Sequence, residues 1–493
     1  MMLSALRSLR KSPLLLALLL SLPSVISAQP DIRLIDAVER RDLSAFRAML
    51  DLRIDVNQVE VDGTTAMHWA AHRDTVDMAR LLIAAGAEVN VKNRYGVAPL
   101  SLAAVNGNVE MVRLILQAGA DPNTAMSENE TVLLTASRTG VVEVVELLIN
   151  YGADVNARES WRGQTALMWG AGEGNLEVVK SLIAHGADVA ARSDKGFTSL
   201  LFSAREGHTA LSEALLHLGA NINEALPTAA AVVNEAGLSA AEQSGLTPLL
   251  LAVGNAHYET AALLLDEGAD ANAAPLGWTP LHQLSWVRKA GQAGSNNPAP
   301  EGSGSMGSLE FARKLIAMGA DLNARVNRRP PVGVSALNML GSTPFLLAAR
   351  TADVDLMKLF AELGGDPFMP NEDNSTPLMV AAGLGTNAPG EDPGTESEVL
   401  EAVELALALG ADINAIDNNG ETAMHGAAYK HLPLVVQYLH DNGAEMEIWN
   451  RANSSGWTPI AIAQGIHRGM SVQSSRVTEA ALQQLLDQHG GSP

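Results

Sequence analysis

The sequence predicts an all-α solenoid of stacked helix pairs, with projecting finger turns and several long loop insertions. Its strongest signal is self-similarity. A Gly-Ala pair recurs at Gly86, Gly119, Gly152, Gly186, Gly219, Gly268, Gly319, Gly410 and Gly443, with Gly364-Gly365 filling the one gap. The early spacings are 33, 33, 34 and 33 residues. At 493 residues the chain is too long for one ordinary core, and its 4% aromatic content points to helices stacked through Ala, Leu, Val and Gly.

Each element of a unit has a chemical reason. A Thr caps the first helix by accepting from its free N–H groups, and Pro fits next because its missing N–H had no partner there. Leu and Ala follow at helical spacing. Gly107, Gly140, Gly174 and Gly207 end first helices in a left-handed turn. A second helix follows, as over 109–117 or 141–150, and the Gly of Gly-Ala ends it. An Asp/Glu-x-Asn run then leads into a Gly-centred finger. One such pair cannot bury its own apolar faces and needs neighbours.

Twelve units are expected. Residues 29–61 form an N-terminal capping unit, with polar Asp36, Glu39, Arg40 and Arg41 among its helix positions, and 62–455 hold units two to eleven. Residues 456–493 form a C-terminal cap and tail, solvent-facing through Gln483, Gln484, Asp487 and Gln488.

The unit resembles the ankyrin repeat, with its period near 33 and Thr-Pro-Leu-His start. The start is present as Thr279-Pro280-Leu281-His282, Thr247-Pro248-Leu249, Thr343-Pro344, Thr376-Pro377-Leu378 and Thr458-Pro459. Variants are Thr65-Ala66-Met67-His68, Thr165-Ala166-Leu167 and Thr422-Ala423-Met424-His425. The chain is also similar to bacterial exported ankyrin proteins. The resemblance implies a protein-binding scaffold that uses its fingers and a concave helical face.

Residues 1–28 read as a signal peptide. Arg7, Arg10 and Lys11 precede the apolar run Leu14–Leu22, then Pro23 and Ser24, with Ala28 at the expected cut. The run is too short to span a bilayer, and no cysteine follows it to carry a lipid anchor. The expectation is an exported, periplasmic or secreted monomer with no stable membrane anchor. Removing three basic residues and no acids takes the net charge from −22 to −25. That charge argues against sequence-independent binding to nucleic acid. With no cysteine, disulfides, thiolate metal sites and cysteine nucleophiles are excluded.

Five Gly-to-Gly spacings exceed 33 residues, by 12 to 18, and the frame resumes each time. Finger insertions are expected at about 225–243 and 325–340. Helix-turn insertions are expected at about 288–307 and 384–396, with a further excess near 465–475. Loops on a rigid frame are places for function. An alternative reading is a small-ligand or glycan receptor, its pocket walled by the loops of the C-terminal half around Trp286 and Tyr429.

No serine elbow, Walker loop or dinucleotide fingerprint appears, so the chain reads as non-enzymatic, with no cofactor and no metal. His68 and His72 stand four apart, but His68 takes the repeat's own His position, and Trp69 sits where a metalloprotease would carry Glu. Glu391, Asp392, Glu396 and Glu398 read as a solvated acidic loop. Partner-binding candidates are the large aromatics and bases of the inner helices and fingers. They are Trp69, Trp169 and Phe202 on inner helices, and Arg94, Tyr95, Trp161, Arg162, Lys195, Phe197 and Trp278 at fingers, with Trp286. Lys92, Arg158 and Arg192 add positive charge. An aromatic and basic strip over units two to six is expected to meet an acidic partner surface.

Overall fold

The computed structural model describes residues 32–226, 245–289, 299–329, 336–387, 389–390, 393–466 and 474–488. The expected signal segment lies outside the described residues. So do most of the finger insertion at 225–243 and the centres of those at 288–307, 325–340 and 465–475. Among the described residues there are 25 α-helices and no strand, only isolated bridges pairing Val59 with Thr65 and Arg158 with Thr165. No described helix is long and apolar enough to cross a membrane.

Twenty-four of the helices come in consecutive pairs, from Arg33–Glu39 with Leu43–Asp51 to Pro459–Ala463 with Arg476–Gln488. The remaining one, Met446–Trp449, is a single turn that buries Trp449 and that the repeat pattern did not announce. The chain forms two compact units, residues 1–127 and 128–493. The first holds three pairs and the second nine.

The caps form as their chemistry requires. Thr131, Thr165, Thr198, Thr247, Thr343, Thr376 and Thr458 each accept from the third backbone N–H of the following helix. Where the sequence carries Thr-x-x-His, the imidazole adds a second bond. His68 Nδ1 takes the Thr65 N–H at 3.1 Å, and its Nε2 reaches the Val97 carbonyl at 2.9 Å in the next finger. His282 and His425 repeat this in the second unit, with Nε2 on the Ala324 and Ser342 carbonyls (3.0 and 3.1 Å) and on that of Arg451 (3.2 Å). The second-helix ends follow the Gly-Ala rule: Gly86, Gly119 and Gly186 all sit near φ +90°, where a Cβ would be strained. The turn between paired helices is less strict than the glycines suggested. Asp74, Ala256, Ala352 and His431 adopt positive φ there too.

An asparagine rail fastens finger bases to one another. Asn57 donates to the Gly86 carbonyl at 3.1 Å and accepts from the Glu88 N–H at 2.8 Å. Asn90 does the same with Gly119 and Asp121. In the second unit Asn156 spans to Gly186 and Asp188, and Asn414 to Gly443 and Glu445. Asn272 spans to Gly319 and Asp321 across an insertion, 47 residues on instead of 29.

From residue 204 on, the helix pairs of the second unit share a main core. One apolar cluster runs from Ala204 to Leu486, including Phe311, Phe345, Phe360 and Trp449. The described ends of two insertions lie against this stack. The described end of the 288–307 loop returns onto the Tyr258–Asp266 helix, where Ser303 bonds His257 and Ser305 bonds Glu259. At its start Arg288 pairs with buried Asp353 at 2.6 Å. Glu396 and Glu398 are not in a solvated loop, as the acidic run suggested. Thr395 and Glu398 form a capping box that starts a 13-residue helix at Glu396, and Glu398 pairs with Lys289 at 2.8 Å. That partner, together with the Thr395 N–H, holds the Glu398 carboxyl at about 2. Glu391 and Asp392 lie outside the described residues.

Gly426 shows how closely this insertion sits. A Cβ there would fall 2.7 Å from the Leu384 backbone nitrogen and 2.9 Å from the Met379 carbonyl oxygen. Both are backbone atoms with little room to yield. Gly426→Ala is therefore expected to cost about 1–3 kcal/mol, despite alanine's better helix propensity. Urea unfolding of the variant checks this, and an unchanged midpoint would contradict the packing.

Candidate functional site

The fingers are built on a buried or half-buried acceptor. Asn93 Oδ1 takes the N–H groups of Tyr95 and Val97 at 3.0 and 3.1 Å. Asn371, Asp417 and Asn453 hold their own fingers the same way, through residues two and four positions on. The finger after Arg158 is one residue longer before its glycine, and Glu159 takes the acceptor slot. Its longer carboxylate, 5% exposed, accepts from the N–H groups of Trp161 (2.6 Å), Arg162 (2.9 Å) and Gln164 (2.8 Å). The repeat pattern did not single out Glu159. The signal that could have found it is its position: it begins its finger where Asn93 begins another.

That scaffold presents Trp161 at the tip, 69% exposed, with the Arg162 guanidinium 3.9 Å from the ring centroid. A stacked arginine over an exposed indole is an attached cation–π pair with two hydrogen-bonding edges to spare. Lys195 is exposed on the following finger, whose Asp194 N–H donates to the Arg162 carbonyl at 2.8 Å. The other bases of this region serve the frame. Arg158 donates to the Arg192 carbonyl at 2.6 Å and pairs with Asp194 at 3.6 Å; Arg192 donates to the Gly196 carbonyl and pairs with Glu224. Burial pushes the Glu224 carboxyl up, and bonds from Thr198 and Arg192 oppose it.

The first compact unit carries its own exposed pair. Tyr95 is 61% exposed, and Arg94 lies over it at 5.4 Å while donating to its hydroxyl at 3.3 Å. Lys92 is spent on the Ala125 carbonyl at 2.9 Å. Trp69 is half-buried. Its indole N–H donates to Glu60 at 3.0 Å, His72 meets its ring edge-on at 5.7 Å, and Arg73 lies over it.

Four aromatic candidates are core residues instead of surface anchors. Phe197 and Phe202 are buried against each other at 5.1 Å, with Arg205 over both rings. Trp278, 4% exposed, meets buried Trp286 edge-on at 5.8 Å and donates its N–H to Gln283 at 2.8 Å. Both tryptophans belong to a separate apolar cluster with Leu250, Leu276 and Val326. Trp169 is half-buried under Arg138 at 5.1 Å. The pocket expected around Trp286 is therefore filled at that end. Among the described residues no group of three His, Cys, Asp or Glu could hold a metal ion.

Comparison with known proteins agrees with this frame. A model of three consecutive ankyrin repeats matches residues 34–126, 100–193 and 133–225, and a single ankyrin-repeat model matches 244–274. An ankyrin repeat protein of fowlpox virus (strain NVSL) is 46% identical over 50 residues, 10% of this chain and 12% of its own length. The human and mouse neurogenic locus notch homolog protein 2 are each 36% identical over 141 residues, 28% of this chain and 5% of theirs. The chain thus spans only a small part of these relatives.

Proposed function

With ankyrin repeats as the frame of this all-α solenoid, we propose that the protein is a non-enzymatic scaffold that grips a folded protein partner in the cell envelope or outside the cell. The helix pairs beyond residue 274 are read as further, divergent copies, giving twelve repeats. The expected leader at 1–28, with its basic start and short apolar run, supports export in a bacterial cell. It is read as a monomer that takes no nucleic acid, in keeping with its charge of −22.

The observation that carries the reading is the Trp161–Arg162 finger. A large aromatic is held open to solvent by a turn that a buried carboxylate has already ordered. Binding there costs little loop entropy, and Trp and Arg are the residues most often found at interface hot spots. The cation over the ring and Lys195 on the following finger suit an acidic partner surface.

The test is a photo-crosslinking residue at the exposed position 160, beside Trp161, in the full-length protein in its native envelope. One stoichiometric protein adduct is expected. With that partner purified, Trp161→Ala should weaken binding by about 2 kcal/mol, roughly thirtyfold. Arg162→Glu with Lys195→Glu should slow association. Unchanged affinity in both variants would refute the surface. A mature chain that retains residues 1–28 would refute export.

A further inference from the structure

The second compact unit contains a cavity that the Trp161 finger does not use. Its volume is about 260 Å³. Half-buried Tyr429 and Trp457 line it, together with the carboxylates Asp373, Asp417 and Glu421. The loop that begins the 384–396 insertion and Asn338 from the finger insertion close it. Among the described residues no lysine, arginine or histidine is part of the lining.

The acidic groups are fixed in place. Tyr429 donates its hydroxyl to Glu421 Oε1 at 2.8 Å, and Asn453 donates to the same oxygen at 2.7 Å. Asp417 holds its finger's N–H groups with one oxygen and the Ser375 hydroxyl, at 3.1 Å, with the other. Asp373 accepts from Asn338 at 2.9 Å. The wall is thus rigid, negative and aromatic before anything binds.

We propose that this cavity binds an organic cation, a guanidinium or ammonium group carried on a short chain. The charge decides between ligand classes. A neutral polyol can donate hydroxyls to the three carboxylates in place of water, but it supplies no counter-charge in a partly buried site. A bare metal ion needs oxygens converging on one point, and these carboxylates are spread around the cavity, with no metal-holding group of three among the described residues. An organic cation fits both features: its charge meets the carboxylates and its face or chain packs on Trp457 and Tyr429. Burial, reinforced by the nearby Asp417 charge, pushes the Glu421 carboxyl upward, and burial with Glu421 pushes the Tyr429 phenol the same way. A cation entering the cavity would offset that cost.

The probe is agmatine, titrated calorimetrically into the full-length protein, with maltose as the neutral comparison. Saturable binding of agmatine and none of maltose is expected. Glu421→Gln should weaken it at least tenfold and Trp457→Ala by a similar factor. Asp373→Asn, a change at the cavity's half-buried edge, serves the same purpose if Glu421→Gln fails to fold. A Gly-Arg-Gly peptide identifies the source of the group. Binding as tight as agmatine's means that a peptide side chain is taken; binding by agmatine alone means a free small molecule. Absence of saturation by agmatine, binding of maltose in its place, or wild-type affinity in the carboxylate variants would overturn the proposal. None of these results depends on the Trp161 finger.

Discussion

Phe311→Ala is expected to lower the stability of the second compact unit by about 3–5 kcal/mol. Phe311 lies on the Ser308–Ala317 helix with no solvent exposure and stacks on Tyr258 of the preceding pair at 5.4 Å. It is therefore a seam residue, and its loss leaves a cavity between two helix pairs. Because each pair is stable only against its neighbours, the damage should concentrate at that seam. Hydrogen exchange is expected to accelerate over 248–317 while 132–184 keeps its protection. The urea midpoint should fall, with Trp161→Ala as a surface control changing stability by less than about 0.5 kcal/mol. A cost as small as the control's would mean that the seam does not hold the stack.

Acidification from pH 6.5 to about 4 is expected to destabilise the same unit. His282 and His425 are buried, and desolvation holds both at about 4, with their carbonyl bonds only partly opposing it. In the unfolded chain a histidine takes its proton near 6.5. The folded form refuses that proton until about 4, so the stabilisation is complete above 6.5 and drains away as pH falls towards 4. At roughly 1.4 kcal/mol per unit, each histidine contributes about 2–3 kcal/mol over the window. Glu224 and Glu421, raised by burial, act in the opposite sense and soften the lower end. Denaturant unfolding at pH 7 and pH 4.5 checks the slope. Replacing His282 by glutamine should remove about half of it, whatever that change does to stability at neutral pH.

The period was legible because every unit repeats the same local chemistry: a Thr cap, a Pro or Ala after it, and a glycine where only positive φ closes the helix. Finger geometry was legible only in part, and the register explains why. Tyr95 and Trp161 precede their finger glycines, at Gly96 and Gly163, and stand in solvent. Phe197 and Trp278 follow theirs, directly before a helix-capping Thr, and turn into the stack. The sequence treats these aromatics alike unless position is counted from the glycine. Trp286 and Phe202 lie on inner helices, where a pattern of residue types does not say which side the neighbour covers. The cavity was beyond reach for another reason. Its lining spans residues 336 to 457, so its carboxylates come together only after several units have stacked. The helix beginning at Glu396 could have been read from Thr395-x-x-Glu398, but acidic density masked that capping signal.

The asparagine rail has a consequence for how such a protein can change. Asn272 makes the same two bonds across 47 residues that Asn57 makes across 29. The rail gauges separation in space and is indifferent to how much chain intervenes. A segment spliced between two rungs can lengthen, shorten or be exchanged while the track beneath keeps its gauge. Between Arg288 and Ser303, whose own bonds fasten the ends of that insertion, the chain is thus a ready port for grafted cargo, and natural drift there can explore new chemistry without derailing the rest.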